Sequence, residues 1–169
     1  WLAARPEIDP ARIGLIGHSE GATFAELAIQ EGVDPAWLVA LAGPAVSGGE
    51  TITAQVEQIA RASGMPAEDI ARNVALQRRL MEAVATHADD ADAVRRAVEP
   101  LLVEAGRSPA EAAQLAAVMS GDWYRGMVAH DPAESIRAVR APMLAVFGGK
   151  DLQVPADQNA AAFSTYKPD

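Results

Sequence analysis

Between Arg12 and Gln30 the chain passes from a strand pattern to a helix pattern across five residues, Gly17-His18-Ser19-Glu20-Gly21, with no loop to spare. The stretch Arg12-Ile13-Gly14-Leu15-Ile16-Gly17 is a short apolar run behind the turn pair Asp9-Pro10, and it reads as a buried strand. From Ala22 to Gln30 the spacing puts Phe24, Leu27 and Ala28 on one helical face, and Gly32 stands where a C-terminal cap belongs. So abrupt a turn forces its apex, Ser19, into positive φ and projects the side chain clear of the sheet. Gly17 and Gly21 are expected to lie against each other across the bend, where a Cβ on either would collide. Trp37 to Ala42 reads as a second buried strand, closed by Gly43-Pro44. Strand, helix, strand in that order implies a parallel pair joined by a right-handed crossover.

From about Glu50 to Val118 the pattern becomes wholly helical. Thr51 to Ala62 carries Ile52, Val56 and Ile59 on one face and is broken by Ser63-Gly64-Met65-Pro66. Ala67 to Ala85 is a longer helix, and Asp89 to Glu104 a third, with Pro100 expected as a kink or boundary. Ser108-Pro109-Ala110-Glu111 has the residue types of a helix start and opens a fourth helix towards Met119. Met65, Met81 and Met119 fall at helical core positions. The α/β pattern then returns. Asp131-Pro132-Ala133-Glu134 begins a short helix to Val139, Met143 to Phe147 is a third buried strand, and Pro155 opens a helix to Phe163. The implied organisation is an α/β core over 1–48 and 121–169, with 49–120 inserted as a helical cap. An ordinary helical layer would give the same composition.

Composition narrows the function classes. A chain of 169 residues that is 50% hydrophobic has room for a core and is too apolar to be disordered. A net charge of −9 argues against nucleic acid, whose phosphates call for clustered Lys and Arg. No run approaches the length of a membrane span. The absence of cysteine excludes disulfides and thiolate metal sites and fits a reducing compartment. The three histidines have no metal-ligand spacing, and Gly148-Gly149-Lys150 lacks the pattern of a phosphate loop, so no metal or cofactor is expected. The chain opens on Trp1 inside a helical pattern, which suggests a segment of a longer protein; compartment and oligomeric state stay open.

The apex serine gives the turn its chemistry. A hydroxyl held at a helix N-terminus is placed to attack a carbonyl, while backbone N–H groups of the first turn, that of Glu20 above all, bind the developing oxyanion. The competing reading is a tight strand-to-helix turn with an ordinary serine N-cap. Gly-His-Ser-Glu-Gly between a strand and a helix resembles the nucleophile elbow of the α/β-hydrolase family, nearest its dienelactone-hydrolase-like and serine-aminopeptidase-like esterases. Residues 8–44 resemble the nucleophile strand, elbow, helix and following strand, and residues 129–157 the return to the sheet.

The resemblance implies the C-terminal part of an α/β-hydrolase sheet, a serine hydrolase acting on a carboxylic ester or related acyl compound, and Ser19 as nucleophile. A thioesterase or peptidase would use the same machinery, and a hydrolase-like binding module would keep the fold without it. Asp151, after the third strand, is the expected triad acid, on the sheet edge where the elbow also lies. The alternative for it is a loop aspartate that closes a turn. Family order puts the base after the acid, yet His18, His87 and His130 all precede Asp151. The base is therefore expected beyond residue 169, and the second oxyanion donor upstream of Trp1. Trp123, Tyr124 and Met127 are candidates for an acyl pocket, with core packing the better expectation.

Overall fold

Three parallel strands, β1 (Leu15–His18), β2 (Leu38–Leu41) and β3 (Met143–Val146), form one sheet in the order β1-β2-β3. The computed structural model describes residues 1–167. These form two compact units, one from Trp1–Val46 with the residues from Asp131 onward, the other Ser47–His130. The first is α/β and holds the sheet with helices α1 (Glu20–Gln30), α7 (Pro132–Ala138) and α8 (Ala156–Tyr166). The second is helical and comprises α2 (Gly48–Ala62), α3 (Ala67–Thr86), α4 (Ala91–Glu104), α5 (Pro109–Met119) and α6 (Asp122–Ala129). Among the described residues no helix is long and apolar enough to cross a membrane.

Strand pairing sets which residues share a sheet face. Leu15, Leu38 and Met143 stand in one row and Gly17, Ala40 and Ala145 in another. This is the face on which α1 packs: a Cβ at Gly17 would lie 2.4 Å from the Gly21 carbonyl oxygen and 2.5 Å from the Ala22 Cα. The opposite face carries Ile16, Val39 and Leu144, then His18, Leu41 and Val146. It is apolar and largely bare, with Ile16 64% and Leu144 58% exposed.

The buried side of α1 differs from the expected one. Phe24 is 53% exposed, and Ala22 and Glu26 are the buried residues. The reason is the close approach at Gly17. Only a small side chain fits where α1 meets β1, so Ala22 takes that place, and its Cβ also abuts Gly43. Phe24 lies about 200° round the helix from Ala22, while Glu26 lies within about 40° of it. Gly32 adopts φ 106° just past the end of α1, the left-handed position that a C-terminal glycine serves.

In the helical unit, Leu80, Met81, Val84, Val94, Val98, Leu102, Ala112, Ala116, Met119 and Val128 form a continuous core. Met65 packs on a smaller cluster of Ala60, Ile70 and Val74. Pro100 is no boundary, because α4 runs through it. The helical unit extends to His130 rather than to residue 120, because α6 packs on α2 and α3. Tyr124 and Met127 of α6 pack against the helical core, whereas Trp123 is exposed on its outer side, edge-on to Tyr124.

Candidate active site

Ser19 directly follows the last residue of β1 and directly precedes α1. Its backbone stands at φ 54°, ψ −127°, a conformation that costs a non-glycine residue about 1–3 kcal/mol. Two bonds hold it there. Its N–H donates to the Leu41 carbonyl at 2.8 Å, and its own carbonyl accepts from the Ala22 N–H at 3.0 Å. The side chain makes no capping bond to the first turn of α1.

Two other serines in the same chain show what capping looks like. Ser47 (φ −53°, ψ 153°) and Ser108 (φ −62°, ψ 154°) begin α2 and α5, and each accepts from the N–H three residues on. In each case the glutamate at that position, Glu50 or Glu111, reaches back to complete a capping box. Ser19 shares their place at a helix start but neither their dihedrals nor their bond. The N-cap reading therefore fails for it. Ser47→Ala and Ser108→Ala are each expected to cost about 1 kcal/mol of stability, and Ser19→Ala next to nothing by loss of a cap. Chemical denaturation of the three variants measures the difference.

Glu20 is the first residue of α1 and half-buried. N–H groups in the first turn of a helix point past its end rather than to a carbonyl of the helix. Of the two expected elbow glycines, the structure supports the steric argument for Gly17 alone. A Cβ at Gly21 would meet nothing within 4 Å, so the mutual crowding expected of the pair falls entirely on Gly17, which abuts the backbone of Gly21 and Ala22.

The sheet rim carries a second strained residue that the sequence pattern did not expose. Ala42, the residue after β2, has φ 49° and donates its N–H to the Val146 carbonyl at 2.7 Å. Ser19 and Ala42 are the non-glycine residues of positive φ among those described, and they follow neighbouring strands at the same end of the sheet.

Asp151 lies beyond β3 at that same end. With β2 between them, the ends of β1 and β3 stand about 10 Å apart, two strand spacings. The Asp151 N–H closes a turn onto the Gly148 carbonyl at 3.1 Å. Its Oδ1 accepts from the N–H groups of Gln153 at 2.8 Å and Val154 at 3.1 Å. The turn-closing role is thus real. It also fixes the carboxylate and leaves Oδ2 outside these bonds.

Behind the rim, Asn159 of α8 is fully buried. Its Oδ1 accepts from the Ala45 N–H at 2.8 Å and its Nδ2 donates to the Pro155 carbonyl at 2.9 Å. It braces the segment after β2 against the segment that follows Asp151. The sequence did not single it out, because it follows Asp157 and Gln158 in a helix of mixed polarity.

The histidines are distributed as follows. His18 is exposed on β1, on the bare face by register with Leu41 and Val146. His87 ends α3 and His130 follows α6, both in the helical unit. Comparison of the chain with family models, with curated proteins and with solved structures found no match in any of the three.

Proposed function

We propose that the α/β unit carries the nucleophile and acid of a serine hydrolase of the α/β-hydrolase type, cleaving a carboxylic ester or related acyl bond. The observation that carries the reading is Ser19, strained at positive φ between a strand and a helix without capping that helix. Strain of this kind persists where surrounding structure over-determines it, and it is concentrated at functional sites. Ser19 attacks the carbonyl carbon, its proton passes to a histidine, and the first-turn N–H groups starting at Glu20 take the negative oxygen. Asp151 orients that histidine through the carboxylate oxygen not used in its turn. The intermediate collapses and expels the alcohol, which takes the proton from the histidine; water then gives a proton to that histidine as it attacks the acyl-enzyme, and the acid leaves as the proton returns to Ser19. The bare apolar face and the two open strand edges suit a sheet that continues into further structure, as in a hydrolase core.

A second reading, a hydrolase-like module that binds without cleaving, is favoured by one fact. The histidine of the α/β unit is exposed on a strand, away from the position a general base needs. A fluorophosphonate probe separates the two. The intact protein is expected to form a covalent adduct on Ser19, located by peptide mass spectrometry, and Ser19→Ala to form none. Asp151→Asn should slow labelling by orders of magnitude, since an acid that no longer fixes the histidine tautomer costs about 10⁴ in rate. A folded protein that takes no label at Ser19 overturns the hydrolase and leaves the binder.

A further inference from the structure

Glu26 is the buried charge-bearing residue that the proposed chemistry does not use. It lies in the middle of α1, 2% exposed, and meets α7 through the hydroxyl of Ser135, whose Oγ is 3.1 Å from Glu26 Oε2. Ser135 is itself fully buried. The same Oγ lies 3.3 Å from the Pro132 carbonyl, a second acceptor. A serine hydroxyl has one proton and cannot donate to both. The hydroxyl donates to Glu26 Oε2, with the Pro132 carbonyl its longer alternative. These contacts offer the buried carboxyl a neutral hydroxyl and no cation, so burial favours its protonated form.

Among the described residues, the charged groups on the elements packed against Glu26 are engaged or placed elsewhere. From α7, Glu134 is exposed and accepts from the Gln30 amide at 3.0 Å, and the Arg137 guanidinium lies over the Tyr166 ring. Asp131, before α7, caps it through the Ala133 N–H, and the Lys167 ammonium donates to the Val139 carbonyl. From β1, His18 is on the opposite sheet face, and β2 has no ionisable residue. Glu20 and Glu31 stand at or just beyond the two ends of α1.

We propose that Glu26 and Ser135 form a proton-dependent latch, holding α7 on α1 while the carboxyl is protonated and loosening it when the carboxyl ionises. Burial pushes the Glu26 carboxyl up to about 7, against 4.5 for an ordinary glutamate, and the Ser135 hydrogen bond only partly opposes this. The folded protein therefore holds this proton where the opened form has lost it. The stabilisation is complete below pH 4.5 and fades as the pH rises through about 7.

Amide hydrogen exchange tests the latch. Corrected for intrinsic rates, protection of the α7 amides is expected to fall roughly a hundredfold between pH 5 and pH 9 in the wild type. In Glu26→Gln, which keeps the shape and loses the titration, it should stay flat. The titration of the Glu26 carboxyl carbon, followed by NMR, gives a readout that needs no variant and should have its midpoint well above that of a free glutamate. A midpoint below about 5, or a Glu26→Gln variant as pH-sensitive as the wild type, overturns the proposal.

Discussion

Replacing Gly17 by alanine is expected to cost the α/β unit about 3 kcal/mol or more, and replacing Gly21 by alanine to leave it intact or slightly firmer. The two glycines flank the same serine, so composition treats them alike. Their surroundings do not. The added Cβ at Gly17 would sit 2.4 Å from a carbonyl oxygen and 2.5 Å from the N and Cα of Ala22, all backbone atoms at the start of α1. No rotamer change relieves such a collision; α1 must move away from β1. That shift would break the two bonds holding Ser19 and lift Ala22 from its seat. Overpacking a tight interior typically costs 1–3 kcal/mol, and with rigid backbone on the receiving side about 3 kcal/mol or more is expected. Against a total stability of about 5–15 kcal/mol, this is a large loss.

Gly21, by contrast, lies inside α1 with open space at its Cβ position, where alanine removes unfolded-state freedom and gains about 0.5–1 kcal/mol. Thermal denaturation of the two variants reads the contrast directly. Equal losses in both would show that the elbow is crowded from both sides after all.

This asymmetry marks where sequence reasoning succeeded and where it stopped. The strands at Leu15–His18, Leu38–Leu41 and Met143–Val146 were legible because short apolar runs between turn residues have few other solutions. Helices α2 to α5 were legible from their period, and α5 also from the Ser108 capping box. Positive φ at Ser19 followed from strand and helix leaving no loop between them. What was hidden depends on which atoms approach across space. Phe24 looked like a core residue because periodicity counts hydrophobicity, but the approach at Gly17 admits only Ala22 and so turns Phe24 outward. The same rotation carries Glu26 inward, against every composition rule for glutamate. Helix α6 was missed although Gly121 and Asp122 mark its start, because its eight residues hold too few turns to show a period. Strain at Ala42 left no sign, since alanine is at home in strands, helices and loops alike.

Asn159 was equally silent, and its removal is the other large effect expected. Its amide joins two segments far apart in the chain, accepting from Ala45 after β2 and donating to Pro155 ahead of α8. Both partners are backbone groups; Asn159→Ala leaves the Ala45 N–H without its acceptor in a site closed to water, while the Pro155 carbonyl keeps the backbone N–H of residue 159 at 3.1 Å. One unsatisfied buried group costs about 1–3 kcal/mol, and a loss in that range is expected. Asn159→Asp distinguishes the brace from mere packing, because it preserves volume and the acceptor for Ala45 but replaces the donor to Pro155 with a second oxygen. Ionised, it would bury a charge facing a carbonyl and should be at least as damaging as alanine at neutral pH. On acidification the carboxyl gains a proton that can donate to Pro155, and stability should recover. The wild type has no such recovery at this position. Equilibrium unfolding of both variants across pH 4 to 8 measures it. The same pair reports on the site, since the braced segments border Ala42 on one side and Asp151 on the other. If Asp151 orients a base, labelling of Ser19 in folded Asn159→Asp should rise as the pH falls toward the carboxyl's titration, opposite to the decline that protonating a histidine base imposes on the wild type. A loss below 1 kcal/mol in Asn159→Ala would mean that water enters to accept from the Ala45 N–H, and that the rim is held by its strands alone.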